Sequence, residues 1–565
     1  MLIQHTLDGP NQGSVKCIPT TDVGPASVPP SGLSPISRLP PELLLAIFSH
    51  FQVLQAYDRY MAGGDWENSP SWVVILQVCH LWRTLAFGSS SLWSTIDFAN
   101  FSWAKYFLET ANTDQPFDLV VFIKKKFPDF LHIARLGSLH ANRLRNLCIN
   151  ADRYQEMQEA FEYYRTTPAP QLESLTLGAF RTLPGDDRNG MDFWGSLFAG
   201  QSPQLRMLCI SSGGMMLSFK LPILQNLTHL DVKYTDLWEE DTMESFVSAL
   251  AKLQGLEVLK FCWAIPRTIP TLTCLPTPKF VAQFPHLRMI ELDDNIFRLN
   301  HFLQYISWPP SAAVHMCHDI LPENELPLKT SLEFISTSLP KFTTEPTTPI
   351  VLTVIRTGAA FTMLGKVEND RDAEEQMNFS VGCVGQRFLY HEQILDLASR
   401  RLPISQTLTL EVVLRSSLPV GAYQPALRAM PRVQELVLEE RLDKGLLLAL
   451  VTPVALDASD SSPEPAQASQ NNLPLPRLQK LRLRWVSLNG RSLQHLLDVI
   501  AARKRYGAPI HTLEIEGGSA KDVTQAHVDG LRESIEQIII DGNVVAWEEA
   551  EHLRRPDDGS RQQVD

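Results

Sequence analysis

The sequence predicts an α/β chain in which a small helical module is followed by an irregular repeat solenoid whose strands line up as a parallel concave sheet. Three observations predict it. The pattern L-x-x-L-x-L recurs at irregular intervals through most of the chain; amphipathic helical segments follow some of these runs; and two segments near the N-terminus carry apolar and tryptophan side chains at helical spacing.

The chain has 565 residues, 44% of them hydrophobic, enough to bury a large core. A net charge of -13 disfavours a general nucleic-acid binder, which needs a basic surface to displace counterions from phosphates. The runs Lys124 to Lys126 and Arg503 to Arg505 read as solvated faces. The start, MLIQHTLDGP, lacks the features of a signal peptide, and no window offers about 18 uninterrupted apolar residues, so neither secretion nor a membrane span is expected. The eight cysteines contain no C-x-x-C, and Cys148 in LRNLCI and Cys209 in LRMLCI read as small buried hydrophobes. Reduced thiols in the cytoplasm or nucleus follow. His315, Cys317 and His318 in VHMCHD lack a fourth ligand at a fitting spacing, so no metal is assigned.

Residues 1–35 hold six prolines among Gly, Ser and Thr, too little apolar surface to offset the entropy of ordering, and read as a disordered tail. Residues 36–100 are expected to form the helical module. In SRLPPELLLAIFSHF, Pro40 and Pro41 open a helix where a missing N–H costs nothing, and Leu43, Leu44, Ile47, Phe48 and Phe51 fall along one broad stripe. A second helix, from Trp72 to about Phe87, repeats the arrangement with Ile75, Val78, Cys79, Trp82 and Leu85, and ends before Gly88, which can take the left-handed terminating conformation. The stretch Gln55 to Pro70 between them reads as a surface loop, and SSSLWSTID as a short cap carrying Leu92, Trp93 and Ile96.

The repeats occupy residues 115–545. Their frames are Leu172, Leu175, Leu177; Leu205, Leu208, Ile210; Leu227, Leu230, Val232; Leu256, Leu259, Phe261; Leu287, Ile290, Leu292; Val433, Leu436, Leu438; Leu478, Leu481, Leu483; and Ile510, Leu513, Ile515. The last two positions of each frame, two apart, point to one side of a short strand, while the first turns the chain into it. No single unit can bury that side; stacked units bury it together, as in leucine-rich repeats. Helices are expected over Asp241 to Leu253, capped by Asp241, and over Ser492 to Lys504. Between Asn295 and Met430 the signature fades. Either the repeats continue in degenerate form or another β-rich element interrupts them; degenerate repeats are the preferred reading, because the pattern returns in frame at Val433. Residues 452–472, rich in Ala, Ser, Asp and Pro, read as a disordered insertion, and 553–565 as a polar tail.

LPPELLLAIFSHF, LQVCHLWRTLA and SSLWSTI together resemble the F-box, with the pattern L-P-x-E-[LI]-L-x-x-I-F, a V-C-[RK]-x-W centre and a final L-W. His80 stands where a basic residue is usual, and the longer loop resembles the F-boxes of mushroom-forming fungi that precede irregular leucine-rich repeats. The resemblance implies a substrate-recognition adaptor of an SCF-type ubiquitin ligase. Such a protein binds a Skp-type adaptor and, through it, a Cullin, and selects an unknown client protein with its repeats. Adaptor contacts carried over residue by residue are Leu39, Pro40, Leu43, Leu44, Ile47 and Phe48, with Val78, Cys79 and Trp82 beside them. The alternative is a non-degradative F-box and leucine-rich-repeat scaffold.

No catalytic residue is assigned: H-E-x-x-H, G-x-S-x-G and the Rossmann glycine triplet are missing, and the stretch from Gly358 to Lys366 has the wrong spacing for a phosphate loop and reads as a turn between strands. Asp293, Asp294 and Asn295 read as polar turn residues. No cofactor, nucleic acid or membrane is expected. Client contacts are placed on strand positions alternating with the buried leucines, Arg482 and Arg484 next to Trp485, because arginine and tryptophan are frequent binding anchors.

Overall fold

The computed structural model describes residues 35–61, 71–96, 101–110, 115–123, 129–181, 194–211, 222–234, 242–266, 278–309, 312–319, 350–357, 360–367, 377–384, 395–396, 399–400, 404–414, 418–452, 473–517, 520–521 and 524–544. Residues 1–34 of the expected N-terminal tail, the 453–472 part of the insertion and the polar tail lie outside these. The chain divides between Leu92 and Trp93 into two compact units, a helical one and a larger repeat unit.

The repeat unit is built on one 18-stranded sheet. Strands β1 (Thr95–Ile96), β2 (Phe117–Ile123), β3 (Leu144–Arg153), β4 (Ser174–Arg181), β5 (Met207–Ser211), β6 (His229–Lys233), β7 (Val258–Cys262), β8 (Met289–Asn295) and β9 (Ala313–Asp319) pair in chain order, each parallel to the one before. The sheet therefore begins at Thr95, ahead of the expected boundary at 115.

Every expected frame lies in this sheet, and all three of its apolar positions are buried. The first position closes a tight turn: Leu205 N–H donates to Ser202 O, Leu227 to Leu224 O, Leu256 to Leu253 O and Leu287 to Phe284 O. The residue after it starts the ladder, with Arg206 N–H on Glu173 O, Thr228 on Arg206 O, Glu257 on Thr228 O and Arg288 on Glu257 O. Two further frames bury all three positions in the same sheet, Leu144, Leu147, Ile149 and Thr407, Leu410, Val412; a third, Ile535, Ile538, Ile540, buries its first two and leaves Ile540 half-buried. A helix forms within the expected span, Met243–Leu250, and buries Met243, Phe246, Val247 and Leu250, but its cap is Thr242, in a reciprocal pair with Ser245. Helix Gly490–Arg505 is capped in the same way by Asn489 and Ser492.

Between Asn295 and Met430 the sheet corrects the preference for degenerate repeats. A β-meander interrupts them: β10 (Ile350–Thr357), β11 (Ala360–Val367) and β12 (Met377–Val384) are consecutive antiparallel strands. They enter the sheet in reverse, β12 parallel beside β9 and β10 parallel beside β13 (Thr407–Leu414). The sheet continues in parallel through β14 (Glu435–Glu439), β15 (Lys480–Arg484), β16 (Thr512–Glu516) and β17 (Gln537–Ile540), and closes on antiparallel β18 (Asn543–Val544). The stretch weighed as a phosphate loop is thus mostly strand β11.

Asp293, Asp294 and Asn295 are not turn residues but the end of β8. Asp294 is fully buried, accepts hydrogen bonds from the backbone N–H of Ile265 and Asn295, and pairs with Arg298 at 3.4 Å. Cys148 and Cys209 are free thiols on the half-buried face of the sheet, opposite the leucines. Burial pushes the Cys148 thiol up to about 12.

Candidate functional site

In the helical unit, α1 (Pro41–Met61) starts at the paired prolines, where Leu43 and Leu44 donate to Pro40 O. It runs seven residues into the stretch expected as loop from Gln55; residues 62–70 lie outside the described ones. The expected second helix is two pieces. A 3₁₀ helix, Ser71–Gln77, carries the run Trp72-Val73-Val74-Ile75, whose β-branched side chains crowd an α-helix. The chain then breaks, and Cys79 caps α2 (His80–Gly88), its Sγ accepting from Trp82 N–H at 3.5 Å. Arg83 Nε spans the break to Leu76 O at 2.8 Å. Gly88 is the last residue of α2 and the chain leaves through extended Ser89, so the left-handed stop expected there is not used.

This geometry splits the nine expected adaptor contacts. Leu44 and Phe48 are buried, and the Phe48 ring packs tilted against Trp82 with centroids 4.9 Å apart. Neighbouring leucines on a helix point about 100° apart, so Leu43 and Leu44 cannot share a face. Leu44 and Phe48 therefore brace the module from inside, with Trp82 and Leu39 half-buried. Leu43 is 52% exposed and Ile47 44%, one turn apart on the same side of α1. Pro40, Val78 and Cys79 are also exposed, and the break at 78–79 adds Val74, Leu81 and Phe87, which the single-helix reading missed.

On the repeat sheet, β15 alternates as expected: Leu481 and Leu483 face the core, Arg482 and Arg484 the half-buried side. The two arginines are not free anchors. Arg482 reaches Glu514 at 2.8 Å and Glu435 at 3.0 Å; Arg484 reaches Glu516 at 3.0 Å and Glu411 at 3.4 Å; Lys480 joins Glu514 at 2.6 Å and Glu435 at 3.3 Å. Cross-strand register makes these pairs, setting Arg482 opposite Glu514 and Arg484 opposite Glu516. Burial pushes the Glu514 carboxyl up, but hydrogen bonds from Lys480 and Arg482 outweigh it and hold the group below its ordinary value. Trp485, directly after the strand, is 64% exposed.

His315 and Cys317 lie two apart on β9; the His318 side chain is outside the described residues. Among the described residues no three His, Cys, Asp or Glu side chains are grouped to hold a metal, and no helix is long and apolar enough to cross a membrane.

The exposed stripe of α1, the capped turn at Cys79 and the Phe48–Trp82 pair coincide with a family match: residues 36–99 fit the F-box-like model. Residues 36–99 are an F-box-like domain. Its C-terminal edge overlaps the repeat unit, since Thr95 and Ile96 form the first strand of the sheet. No curated protein matches the chain. Among solved structures, the crystal structure of Listeria monocytogenes InlP aligns with 53% of this chain and 90% of its own, at 10% identity and a TM-score of 0.16. An F-box-like domain joined to a long parallel repeat sheet is a protein-interaction module.

Proposed function

We propose that this chain is the substrate-recognition subunit of an SCF-type ubiquitin ligase, working in the cytoplasm or nucleus by binding alone. The F-box-like domain docks on a Skp-type adaptor and, through it, on a Cullin; the repeat sheet holds a client protein. The observation that carries this reading is the set of large apolar side chains that the small domain leaves in water: Leu43, Ile47, Val74, Val78, Leu81 and Phe87. Exposed apolar surface concentrated on one small module marks an interaction site, and its burial against an adaptor drives association. Pro40 and Cys79 are exposed on the same domain, while Leu44 and Phe48, with Trp82 against Phe48, pack its interior.

The test is affinity purification of the full chain from cells in which Cullin activity is blocked, so that short-lived clients stay bound. Recovery of a Skp-type adaptor and a Cullin, with partners that accumulate under the block, is the expected result. Failure to recover any Skp-type adaptor overturns the proposal. Recovery of the adaptor without a Cullin, with partners whose levels ignore the block, replaces it by a non-degradative scaffold.

A further inference from the structure

At the ends of several strands the next residue stands in the left-handed backbone region: Tyr234 (φ 56), Trp263 (φ 53), Glu440 (φ 66), Trp485 (φ 50) and Asp541 (φ 47), with Gly517 (φ 59) in the same place after β16. This turn serves the sheet. The N–H of Tyr234 reaches Cys262 O, that of Trp263 reaches Asp293 O, that of Glu440 reaches Arg484 O and that of Trp485 reaches Glu516 O, each on the neighbouring strand. Glycine makes the turn without steric cost, as Gly517 does, so bulky aromatic residues held there are a reason to look for a role beyond folding.

Trp485 is the most exposed of them. Its indole lies across Gly517, where a Cβ would come within 2.6 Å of Trp485 Cδ1, so the ring is held in place while its outer face stays bare. The charges beside it do not balance. The half-buried side of β13 to β16 carries Glu411, Glu435, Glu439, Glu514 and Glu516 against Lys480, Arg482 and Arg484. All three cations are committed: Lys480 and Arg482 to Glu435 and Glu514, Arg484 to Glu411 and Glu516. Glu439 is the direct cross-strand neighbour of Arg484, yet among the described residues it has no ion-pair partner. Glu440 and Arg441 follow it at the exposed strand end, one charge of each sign, so the acidic excess belongs to the half-buried side. Burial, then the crowding by Glu411 and Glu440, pushes the Glu439 carboxyl up against the pull of Arg484.

We propose that the strand-end edge of β14 to β16 binds a basic peptide segment of the client, with a Lys or Arg side chain neutralising Glu439 and its stem lying on the outer face of Trp485. An apolar stem across an indole and a cation beside a carboxylate that forms no salt bridge suit the same guest, and the acidic excess disfavours an acidic one. The inference rests on the repeats being the client-binding part and names the chemistry of what they select.

The experiment pans a displayed library of random dodecapeptides on the full-length protein, then measures one enriched peptide against wild type, Trp485→Ala, Glu439→Gln and Glu439→Lys. Trp485 is largely exposed and Glu439 has no ion pair to lose, so all three variants should fold, as circular dichroism melts check. Enriched peptides should share a Lys or Arg. The first two variants should weaken binding roughly tenfold to thirtyfold, in the range of interface hot spots, and Glu439→Lys should abolish it. No enrichment, enrichment without a basic residue, or equal binding by the folded variants overturns the proposal. Purification from cells separates the two levels. Partners kept by Trp485→Ala and Glu439→Lys but lost with the repeats sink this inference alone, whereas partners kept without the repeats sink the client-binding reading and this inference with it.

Discussion

Arg503 offers the most informative perturbation in the repeat unit. It sits in the last turn of helix Gly490–Arg505, fully buried, and its guanidinium donates to Leu450 O and Pro474 O at 2.9 Å and to Leu475 O at 2.7 Å. One side chain thus ties the end of helix Lys444–Ala449 to the chain that resumes at residues 473–475, across a twenty-residue span outside the described ones. Burial pushes its pKa down from the ordinary arginine value to about 10, a penalty of about 3 kcal/mol for keeping the charge inside. Substitution by methionine relieves that penalty but strands the buried carbonyls of Leu450 and Pro474, each costing about 1–3 kcal/mol, and removes one of the two donors to Leu475 O, which keeps the Leu478 N–H. The net expectation is a loss between about zero and about 4 kcal/mol, so a local readout is more telling than global stability. A repeat array need not unfold in one step, so the sharpest assay is local. Hydrogen exchange should accelerate in residues 444–450 and 490–505 of Arg503→Met, while β4 to β7 keep wild-type protection. Uniform protection in both, with an unchanged melting temperature, would refute the claim that this guanidinium holds the junction.

Other outcomes follow from single contacts. Leu43→Ala with Ile47→Ala should leave folding intact, because both side chains are half in water. If the adaptor covers what is exposed, the pair should cost about 1.5–3 kcal/mol, a drop of roughly ten- to a hundredfold measured by calorimetry with a purified Skp-type adaptor. Gly445→Ala should destabilise by about 1–3 kcal/mol in chemical denaturation despite alanine's better helix propensity, since the new Cβ would meet the backbone carbonyl of Leu418 at 2.1 Å. Glu514→Gln should lower stability by about 1–3 kcal/mol at neutral pH. Because the folded carboxyl titrates below the ordinary glutamate value of 4.5, its contribution is present above that pH and lost as pH falls through the folded value. The gap between mutant and wild-type melting temperatures should therefore close in acid, and a gap that persists there would contradict the ion-pair account.

Much of the repeat unit could be read from sequence because its packing rule is local. Each frame places its own turn and its own two inward side chains, so eight frames were legible without knowing their neighbours. The frame at Thr407 escaped because a buried threonine takes the first position. In the F-box-like domain the apolar stripe was legible but not its division. Leu43 and Leu44 are equally apolar, and only the packing of Phe48 on Trp82 decides which column turns inward. Arg482 and Arg484 carry the same lesson for charge. Alternation placed them correctly on the half-buried side, but their partners Glu514 and Glu516 stand 32 residues away, joined by strand register.

The meander explains how the repeat pattern can fade and return in frame. A strand inserted into a parallel sheet must leave both neighbours running in their original direction. One extra antiparallel strand, or a two-stranded hairpin, would leave a strand of the wrong direction against β9 or β13. Three consecutive antiparallel strands solve this. The outer two, β10 and β12, point the same way, and only β11 between them runs opposite. Reversed entry then sets β12 against β9 and β10 against β13, both parallel, so the ladder crosses the insert without an exposed edge. Val433 can therefore resume the L-x-x-L-x-L frame as if β13 had followed β9 directly. Continuity of the sheet, rather than continuity of the repeat, is what the residues between Asn295 and Met430 conserve.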